Sequence, residues 1–192
     1  MSEDSVRKVV QCSGRTRAGK RCARRTAKTP LCYQHLNSEY HVKIKPSHIK
    51  AAGLGLYTTI ARKKGDNVVP YSGAKVRSNN PDYGGDYVLQ IKRHPPTFIN
   101  ASATTSGAGR YSNNARRSED EGIRNNAKLS LNANAGTANV KATGVIAPNH
   151  EVFTSYGPTY WKQKNEIEAR AHAREEANAP PPVSPRRLRC RH

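Results

Sequence analysis

GRYSNNA, residues 109–115, and TSYG, residues 154–157, combine Tyr, Asn and Gly in a way that a core strand or helix does not require. A buried Tyr hydroxyl needs a hydrogen-bond partner, and each Asn side chain brings several donor and acceptor positions that must be satisfied. Only 35% of the residues are hydrophobic, with a single Trp and two Phe. Two such polar segments therefore indicate a site rather than core packing.

Positive charge dominates the composition, with 33 Lys and Arg against 14 Asp and Glu, a formal net charge of +19. The excess is densest at the two ends. Residues 1–35 carry nine basic and two acidic side chains, and residues 161–192 carry eight and four. Because such a field attracts phosphate backbones, we expect the flanks to contact DNA or a nucleosome. The alternative is that basic tails only improve solubility.

The hydropathy pattern predicts an intracellular protein without membrane contact. No apolar run approaches the roughly 20 residues that a membrane-spanning helix needs. The first ten residues, MSEDSVRKVV, lack the apolar region of a secretion signal. In a reducing compartment, the four Cys of the chain are expected to bind metal rather than to form disulfides.

Residues 1–36 form a basic Cys/His module in which Cys12, Cys22, Cys32 and His35 follow the spacing C-x9-C-x9-C-x2-H. Three thiolates and one imidazole can complete a tetrahedral zinc site. The residues between them offer little to bury, so a bound metal would supply the stability that a hydrophobic core cannot. The alternative is a disordered basic arm with free thiols.

Residues 37–161 are predicted to form a mostly β domain, because short strand-like runs alternate with Gly and Pro. HVKIK (41–45) alternates apolar and polar residues, as a half-buried strand does. Gly53-Leu54-Gly55 is not a dinucleotide-binding loop, since neither the third Gly nor a following helix is present. The other predicted strands lie in AAGLGLYTT (51–59), DNVVPYSGAKV (66–76), YVLQI (87–91), LSLNA (129–133), ANVKATGVI (138–146) and EVFTSYG (151–157).

The C-terminal flank divides into two predicted segments. Ala, Glu, Lys, Arg and Gln dominate residues 162–179 and favour a helix. Three prolines follow Ala179 and end it. Residues 180–192, PPPVSPRRLRCRH, are predicted to be a disordered basic tail.

The order of motifs between residues 41 and 161 resembles the SET-domain family of protein lysine methyltransferases. Any one of the five motifs would be weak evidence, but together they are strong. They are GLGLYTTIARKKGDNVVPYSG (53–73), YVLQI with FINAS (98–102), GRYSNNA, NNAKLSL (125–131) and ANVKATGVIAPNHEVFTSYGPTYW (138–161).

The resemblance implies a β-rich SET fold of short strands with a pseudoknot near its C-terminus, and S-adenosylmethionine as the cofactor. In this family the chain end threads beside the segment that GRYSNNA matches, so GRYSNNA and TSYG would lie side by side. Tyr156 would be the catalytic tyrosine. The lysine channel would include Tyr71, Tyr87, Thr154 and Tyr160. The cofactor would contact Ala52, Gly53, Leu54, Gly55, Tyr57, Arg110, Tyr111, Asn113, Asn114 and Trp161, with Tyr160 as an alternative cover for the adenine.

The sequence departs from the family pattern at several of these positions. Asn114 stands where a His is usual, Ser112 replaces an apolar residue, and Asn100 replaces an Asp. Thr154 occupies a position where many members carry Phe or Tyr, which implies a roomier channel and a higher degree of methylation. The family's zinc site after the domain is absent, because Cys190 is the only Cys beyond residue 32.

The function that the resemblance implies is methylation of a lysine side chain, with a histone in chromatin as the expected substrate and the nucleus as the expected location. Methylation of a nonhistone protein is an alternative. A second alternative is a SET-like module that binds chromatin or nucleic acid with little or no activity, for which Ser112 and Asn114 are the support.

Overall fold

A computed structural model of the chain describes residues 9–77, 85–117, 122–158, 160–162, 165–166 and 169. The chain divides into two compact units, Met1–Ser155 and Tyr156–His192. Most of the predicted tail helix (162–179) and all of the predicted disordered tail (180–192) lie outside the described residues. None of the helices that the structure describes has the length and apolar character needed to cross a membrane.

Short strands make up most of the regular secondary structure of the first unit, as predicted. Among its described residues, the one α-helix is α1, Tyr33–Tyr40, and two 3-10 helices cover Ala108–Tyr111 and Ala115–Arg117. The strands are β1 Val10–Gln11, β2 Arg25–Thr26, β3 Val42–Pro46, β4 Leu54–Thr58, β5 Asn67–Tyr71, β6 Ala74–Arg77, β7 Val88–Lys92, β8 Thr97–Asn100, β9 Ala127–Asn132, β10 Thr137–Ala142 and β11 Thr154–Ser155.

The strands form four small sheets rather than one large one. Their orders are β1-β2, β3-β4, β6-β8-β7 and β11-β9-β10-β5. The pairing is antiparallel except for β11, which runs parallel to β9. Because parallel neighbours need a long connection, β11 reaches its place only after the chain has left β9 and returned.

The core lies between these sheets and consists mainly of aliphatic side chains. Val42 in β3 is fully buried while Lys43 is exposed, which confirms the alternation predicted for HVKIK. The main cluster is formed by Leu36, Val42, Leu56, Val68, Val69, Ala108, Ala127, Val140, Ala142, Ile146 and Val152. Leu36 belongs to α1, so the Cys/His module contributes to the same core as the sheets.

The segment GRYSNNA meets the first residue of TSYG within the first unit. The Thr154 N–H donates a 2.8 Å hydrogen bond to the carbonyl oxygen of Asn113. Asn126 holds the approach to β11, because its Nδ2 donates to Glu151 O at 2.9 Å and its Oδ1 accepts from the Phe153 N–H at 2.9 Å. The predicted juxtaposition of residues some forty positions apart is therefore confirmed for Asn113 and Thr154.

Candidate active site

A fully buried carboxylate, that of Glu151, joins the loop before β4 to the GRYSNNA segment. Its Oε1 accepts hydrogen bonds from Ser47 Oγ at 2.7 Å and from Asn113 Nδ2 at 3.3 Å. Its Oε2 accepts from the His48 N–H at 2.8 Å and lies 3.0 Å from the Tyr57 hydroxyl. The donors come from three distant parts of the chain, so this one side chain fixes their relative positions.

The predicted cofactor loop, residues 52–55, is held against Asn113 by two further features. Asn113 Nδ2 also donates to the Leu54 carbonyl oxygen at 3.0 Å. Gly55 is required at its position, because a Cβ there would overlap the Glu151 carboxylate. The predicted partners Leu54, Gly55 and Asn113 are thus brought together, and Ala52 and Gly53 directly precede them in the chain.

Tyr57, which the resemblance placed among the cofactor contacts, is only 2% exposed. Its hydroxyl lies 2.6 Å from the Pro46 carbonyl oxygen and 3.0 Å from Glu151 Oε2. Burial, together with the hydrogen bond and the charge of Glu151, raises the pKa of Tyr57 to about 12. The hydroxyl therefore stays protonated at neutral pH and connects the end of β3, at Pro46, to the Glu151 carboxylate.

Three buried side-chain atoms within the described residues have no hydrogen-bond partner: Arg110 Nε, Asn114 Nδ2 and Thr154 Oγ1. Asn114 is 9% exposed and Thr154 is fully buried. Asn114 Oδ1, in contrast, accepts from the Arg116 N–H at 2.8 Å and from Asn125 Nδ2 at 3.4 Å. Buried polar atoms are nearly always paired, so these three atoms are candidates for contact with a ligand.

Two of the predicted channel tyrosines lie together, next to Arg110. The Tyr71 hydroxyl donates to the Tyr87 carbonyl oxygen at 2.9 Å, and the Tyr87 side chain is 40% exposed. The guanidinium of Arg110 lies 4.3 Å from the Tyr87 ring centroid and 5.3 Å from that of Tyr111. Arg110 therefore links the GRYSNNA segment to Tyr87 through a cation–π contact.

The second unit brings together the other three predicted aromatic residues. The ring of Tyr156 lies 4.9 Å from that of Tyr160, edge to face, and 6.5 Å from that of Trp161, nearly parallel. Tyr160 and Trp161 meet edge to face at 5.2 Å. Tyr156 follows Ser155, the last residue of β11, directly in the chain.

Neither a protein-family model nor a curated protein matches the sequence. Solved structures do match the fold. A structure of ctPRC2 in an autoinhibited conformation bound to S-adenosylmethionine is 18% identical over 68% of this chain and 17% of that one, with a TM-score of 0.49. KRYPTONITE in complex with mCHH DNA, H3(1-15) peptide and SAH is 19% identical over 62% and 24%, with a TM-score of 0.48.

The methyltransferase domain of human PR domain-containing protein 2 aligns with 65% of this chain and 84% of its own, at 20% identity and a TM-score of 0.51. The chain has the SET-domain fold. This confirms the fold that the order of the five motifs predicted.

Next to this SET domain, the four predicted metal ligands of the Cys/His module converge. The ligand atoms of Cys12, Cys22, Cys32 and His35 all lie within 4.8 Å of one another, and the three Cys are buried. His35 Nδ1 is 3.4 Å from Cys12 Sγ and 3.3 Å from Cys32 Sγ. Gly14 leaves room for the imidazole, because a Cβ there would overlap the His35 ring. A set of three thiolates and one imidazole at this separation can hold zinc.

The hydrogen bonds in this Cys/His group favour the thiolate form of Cys32. Burial raises the pKa of Cys32, but hydrogen bonds from the N–H and imidazole of His35 and from Cys12 outweigh it, so that the pKa falls to about 7. The hydrogen bond to the Arg15 carbonyl oxygen and the contact with the Cys32 sulfur raise the pKa of His35 to about 9. His35 Nε2 lies 2.8 Å from Arg15 O, which leaves Nδ1 for the metal.

The Cys/His module and the SET domain are joined at the cofactor segment. The Tyr111 hydroxyl donates a 2.8 Å hydrogen bond to the Lys28 carbonyl oxygen. Leu31 and Tyr111 are both partly buried against the core cluster to which Leu36 belongs. The metal ligands therefore lie on a segment that packs directly on GRYSNNA.

Sequence reasoning missed Glu151, which organises the site more than any predicted residue in the first unit. One signal was present: an acidic residue in the predicted strand EVFTSYG (151–157), in a chain with only 14 acidic residues. A charge in a buried strand needs partners, but its partners Ser47 and Tyr57 are some hundred residues away in the chain. The sequence gives no indication of which residues they are.

Proposed function

We propose that this chain is an S-adenosylmethionine-dependent protein lysine methyltransferase that acts on a histone. The observation that carries the proposal is the meeting of the 52–55 loop, Asn113, Asn114 and Thr154 around buried polar atoms that lack partners. The solved structure with the TM-score of 0.51 is itself a methyltransferase domain, which supports the same reading.

The residues present fit the cofactor. Asn114 Nδ2 is a buried donor without a partner, suited to an acceptor on the adenine. The small residues Ala52, Gly53 and Gly55 would let a ligand approach the backbone, and Arg110 Nε would provide a further donor. Asn113 would hold this loop in place, because its amide group already donates to Leu54 O and Glu151 Oε1. Trp161 would cover the adenine, with Tyr160 as the alternative. When bound, the cofactor supplies a methyl group on a sulfonium.

The protein must deliver the lysine as a neutral amine, since only the neutral form attacks. With a pKa near 10.4, a lysine is neutral in roughly one molecule in 2,500 at pH 7. The rings of Tyr71 and Tyr87 would line a narrow channel that desolvates the ammonium and lowers its pKa. Tyr156 would orient the amine lone pair through its hydroxyl, so alignment accounts for most of the catalysis.

Thr154 would control how many methyl groups are added. Its side chain is fully buried and small, and its Oγ1 has no partner among the described residues. A Phe or Tyr at this position would restrict the channel, whereas Thr leaves room for an amine that already carries a methyl group. We therefore expect products beyond monomethyl lysine, and mass spectrometry that finds only monomethyl lysine would contradict this part of the proposal.

A histone is the proposed substrate because the basic flanks would hold the enzyme on nucleosomal DNA in the nucleus. Recruitment through DNA also answers an electrostatic difficulty. A chain of net charge +19 repels a basic histone tail through its overall field, so affinity for the tail alone should be weak.

The test is transfer of a radiolabelled methyl group to nucleosomes and to free histones, with the modified lysine mapped by mass spectrometry. Tyr156→Phe should lose most of the activity and keep cofactor binding, measured by calorimetry. Asn114→Ala should instead weaken cofactor binding. If no protein is methylated but the cofactor binds, the chain is a SET-like binding module without activity. Labelling of a nonhistone protein in preference to both histone substrates would replace the proposed substrate.

We also propose that the four ligands of the Cys/His module hold a zinc ion that stabilises the fold. The module places three Cys and one His together with few apolar side chains around them, so the metal replaces a hydrophobic core. Metal analysis of the purified protein should find one zinc per chain. Cys22→Ser should reduce this content, and absence of zinc from the wild-type protein would end the proposal.

A further inference from the structure

A cleft of about 570 Å³ opens between the Cys/His module and strand β3. Its walls come from the segment around β2, from the start of α1 and from β3. The lining residues are Arg24, Arg25, Thr26, Ala27, Lys28, Thr29, Leu31, Cys32, Tyr33, Leu36, Lys43, Ile44 and Lys45.

The rim of the cleft is strongly basic. Arg24, Arg25 and Lys28 stand on one side and Lys43 and Lys45 on the other, all of them exposed, and the lining contains no Asp or Glu. Lys45 is the least available of the five, because its ammonium lies 4.1 Å from the Tyr57 ring centroid. The Arg24 guanidinium also lies near a ring, that of Tyr33, so Arg25, Lys28 and Lys43 are the lining cations that would stabilise an anion in the cleft.

The interior of the cleft is apolar and carries an exposed aromatic ring. Leu31, Leu36 and Ile44 provide aliphatic surface. Tyr33 is 66% exposed, and the Arg24 guanidinium lies 5.4 Å from its ring centroid. A ring beside a guanidinium offers a stacking surface for a nucleobase, and the basic rim suits the phosphates on either side of it.

These features select one class of partner. A basic histone tail is repelled by the rim, and a membrane surface does not enter a concave cleft. An acidic peptide would satisfy the cations but would not use the exposed ring and the aliphatic interior together. A single nucleic-acid strand satisfies all three, since each nucleotide combines a phosphate with a flat base.

We propose that this cleft binds a single strand of nucleic acid, with phosphates held by Arg25, Lys28 and Lys43 and a base stacked on Tyr33. Binding here does not depend on methyl transfer, so the proposal stands apart from the proposed function.

The test measures fluorescence anisotropy of a labelled single-stranded DNA of about 12 nucleotides with the full chain over a range of salt concentrations. Lys28→Ala/Lys43→Ala removes two charges from the cleft and should reduce the slope of log K against log salt by about 1.4, because each phosphate contact on a single strand contributes about 0.7. The matched control is Lys63→Ala/Lys64→Ala, which removes the same charge from two exposed positions elsewhere and should change the slope much less.

A second pair of variants tests stacking. Tyr33→Ala should weaken single-strand binding at least about fivefold, and Tyr33→Phe should restore it, since base stacking needs the ring and not the hydroxyl. Equal losses in the two double-lysine variants would overturn the proposal in favour of a general electrostatic effect. Tighter binding of polyglutamate, or of a duplex that ignores Tyr33→Ala, would also overturn it. Zinc content and circular dichroism confirm that each variant is folded.

Discussion

At the scale of single residues, the site depends on polar groups that are buried and paired. Glu151 is 2% exposed and interacts with Ser47, His48, Tyr57 and Asn113. Removing one member of such a set leaves its buried partners without a hydrogen bond, and water cannot reach them to replace it. The same rule makes the unpaired Asn114 Nδ2 informative, because nothing in the described fold explains it.

Replacement of Glu151 by Gln should lower the free energy of unfolding by about 1–3 kcal/mol, since an amide NH₂ would face donors that now point at a carboxylate oxygen. The loop at residues 52–55 would loosen as well, so cofactor affinity should fall. Urea denaturation and calorimetry measure the two effects. Glu39→Gln, at an exposed position on α1, is the matched control. Equal stability of the two variants would show that the Glu151 charge is dispensable.

Stability at high pH should depend on Tyr57, whose pKa is raised to about 12 by burial and by Glu151. In the unfolded chain a tyrosine ionises near pH 10, so the folded state favours the protonated form. This contribution, of the order of 2–3 kcal/mol, is fully present below about pH 10 and is lost as the pH rises toward 12. The free energy of unfolding should therefore fall more steeply between these values in the wild type than in Tyr57→Phe. Parallel curves would refute this account.

At the scale of elements, the sequence predicted strands well and their assembly poorly. HVKIK and YVLQI were recognisable because alternation and β-branched residues are local properties, and they correspond to β3 and β7. The 3-10 helix Ala108–Tyr111 inside the GRYSNNA region was not predicted, since four residues carry too little periodicity to identify it. The meeting of Asn113 with Thr154 was predicted from the family resemblance and not from local pattern, and the parallel pairing of β11 with β9 was not predicted.

Arg62 joins several elements through contacts that no local sequence pattern predicts. It is 8% exposed, and burial lowers its pKa from the usual value of arginine. The guanidinium donates to Thr58 Oγ1 at 3.0 Å, to Asn67 O at 3.5 Å and to Tyr40 O. It therefore joins the ends of β4 and α1 to the start of β5.

Arg62→Ala should lower the free energy of unfolding by about 3 kcal/mol, because it removes charge-assisted hydrogen bonds to the buried Thr58 hydroxyl and to the carbonyl oxygens of Tyr40 and Asn67. Urea denaturation measures the change. Lys63→Ala, one residue further along and exposed, should stay within about 0.5 kcal/mol of the wild type. A loss of similar size in both variants would mean that the Arg62 contacts contribute little.

At the scale of the molecule, the Cys/His module is part of the SET domain's core rather than an appendage to it. Leu36 of α1 is buried in the main cluster, and it directly follows the predicted metal ligand His35 in the same helix. Tyr111 bonds to Lys28 across the junction. Stability of the two parts should therefore be coupled.

Removal of zinc by a chelator should lower the melting temperature of the whole first unit by at least about 4 °C, in one calorimetric transition. Loss of the metal would release Leu36 from the main core cluster and would break the hydrogen bond between Tyr111 and the Lys28 carbonyl oxygen. Cys22→Ser should reproduce the effect without chelator. Two separate transitions, with the upper one unchanged by the chelator, would show that the module folds independently.

The hydrogen bond between Thr154 and Asn113 has a consequence for the order of folding. Strand β11 has two residues and pairs only with β9, so nothing local holds it in place. Strand β9 and the segment around Asn113 must therefore assemble first. The entropic cost of closing such long loops is offset only when these last contacts form. The strand that directly precedes Tyr156, the proposed catalytic residue, is therefore expected to dock last, so most of the β-structure would form before the proposed active site is complete.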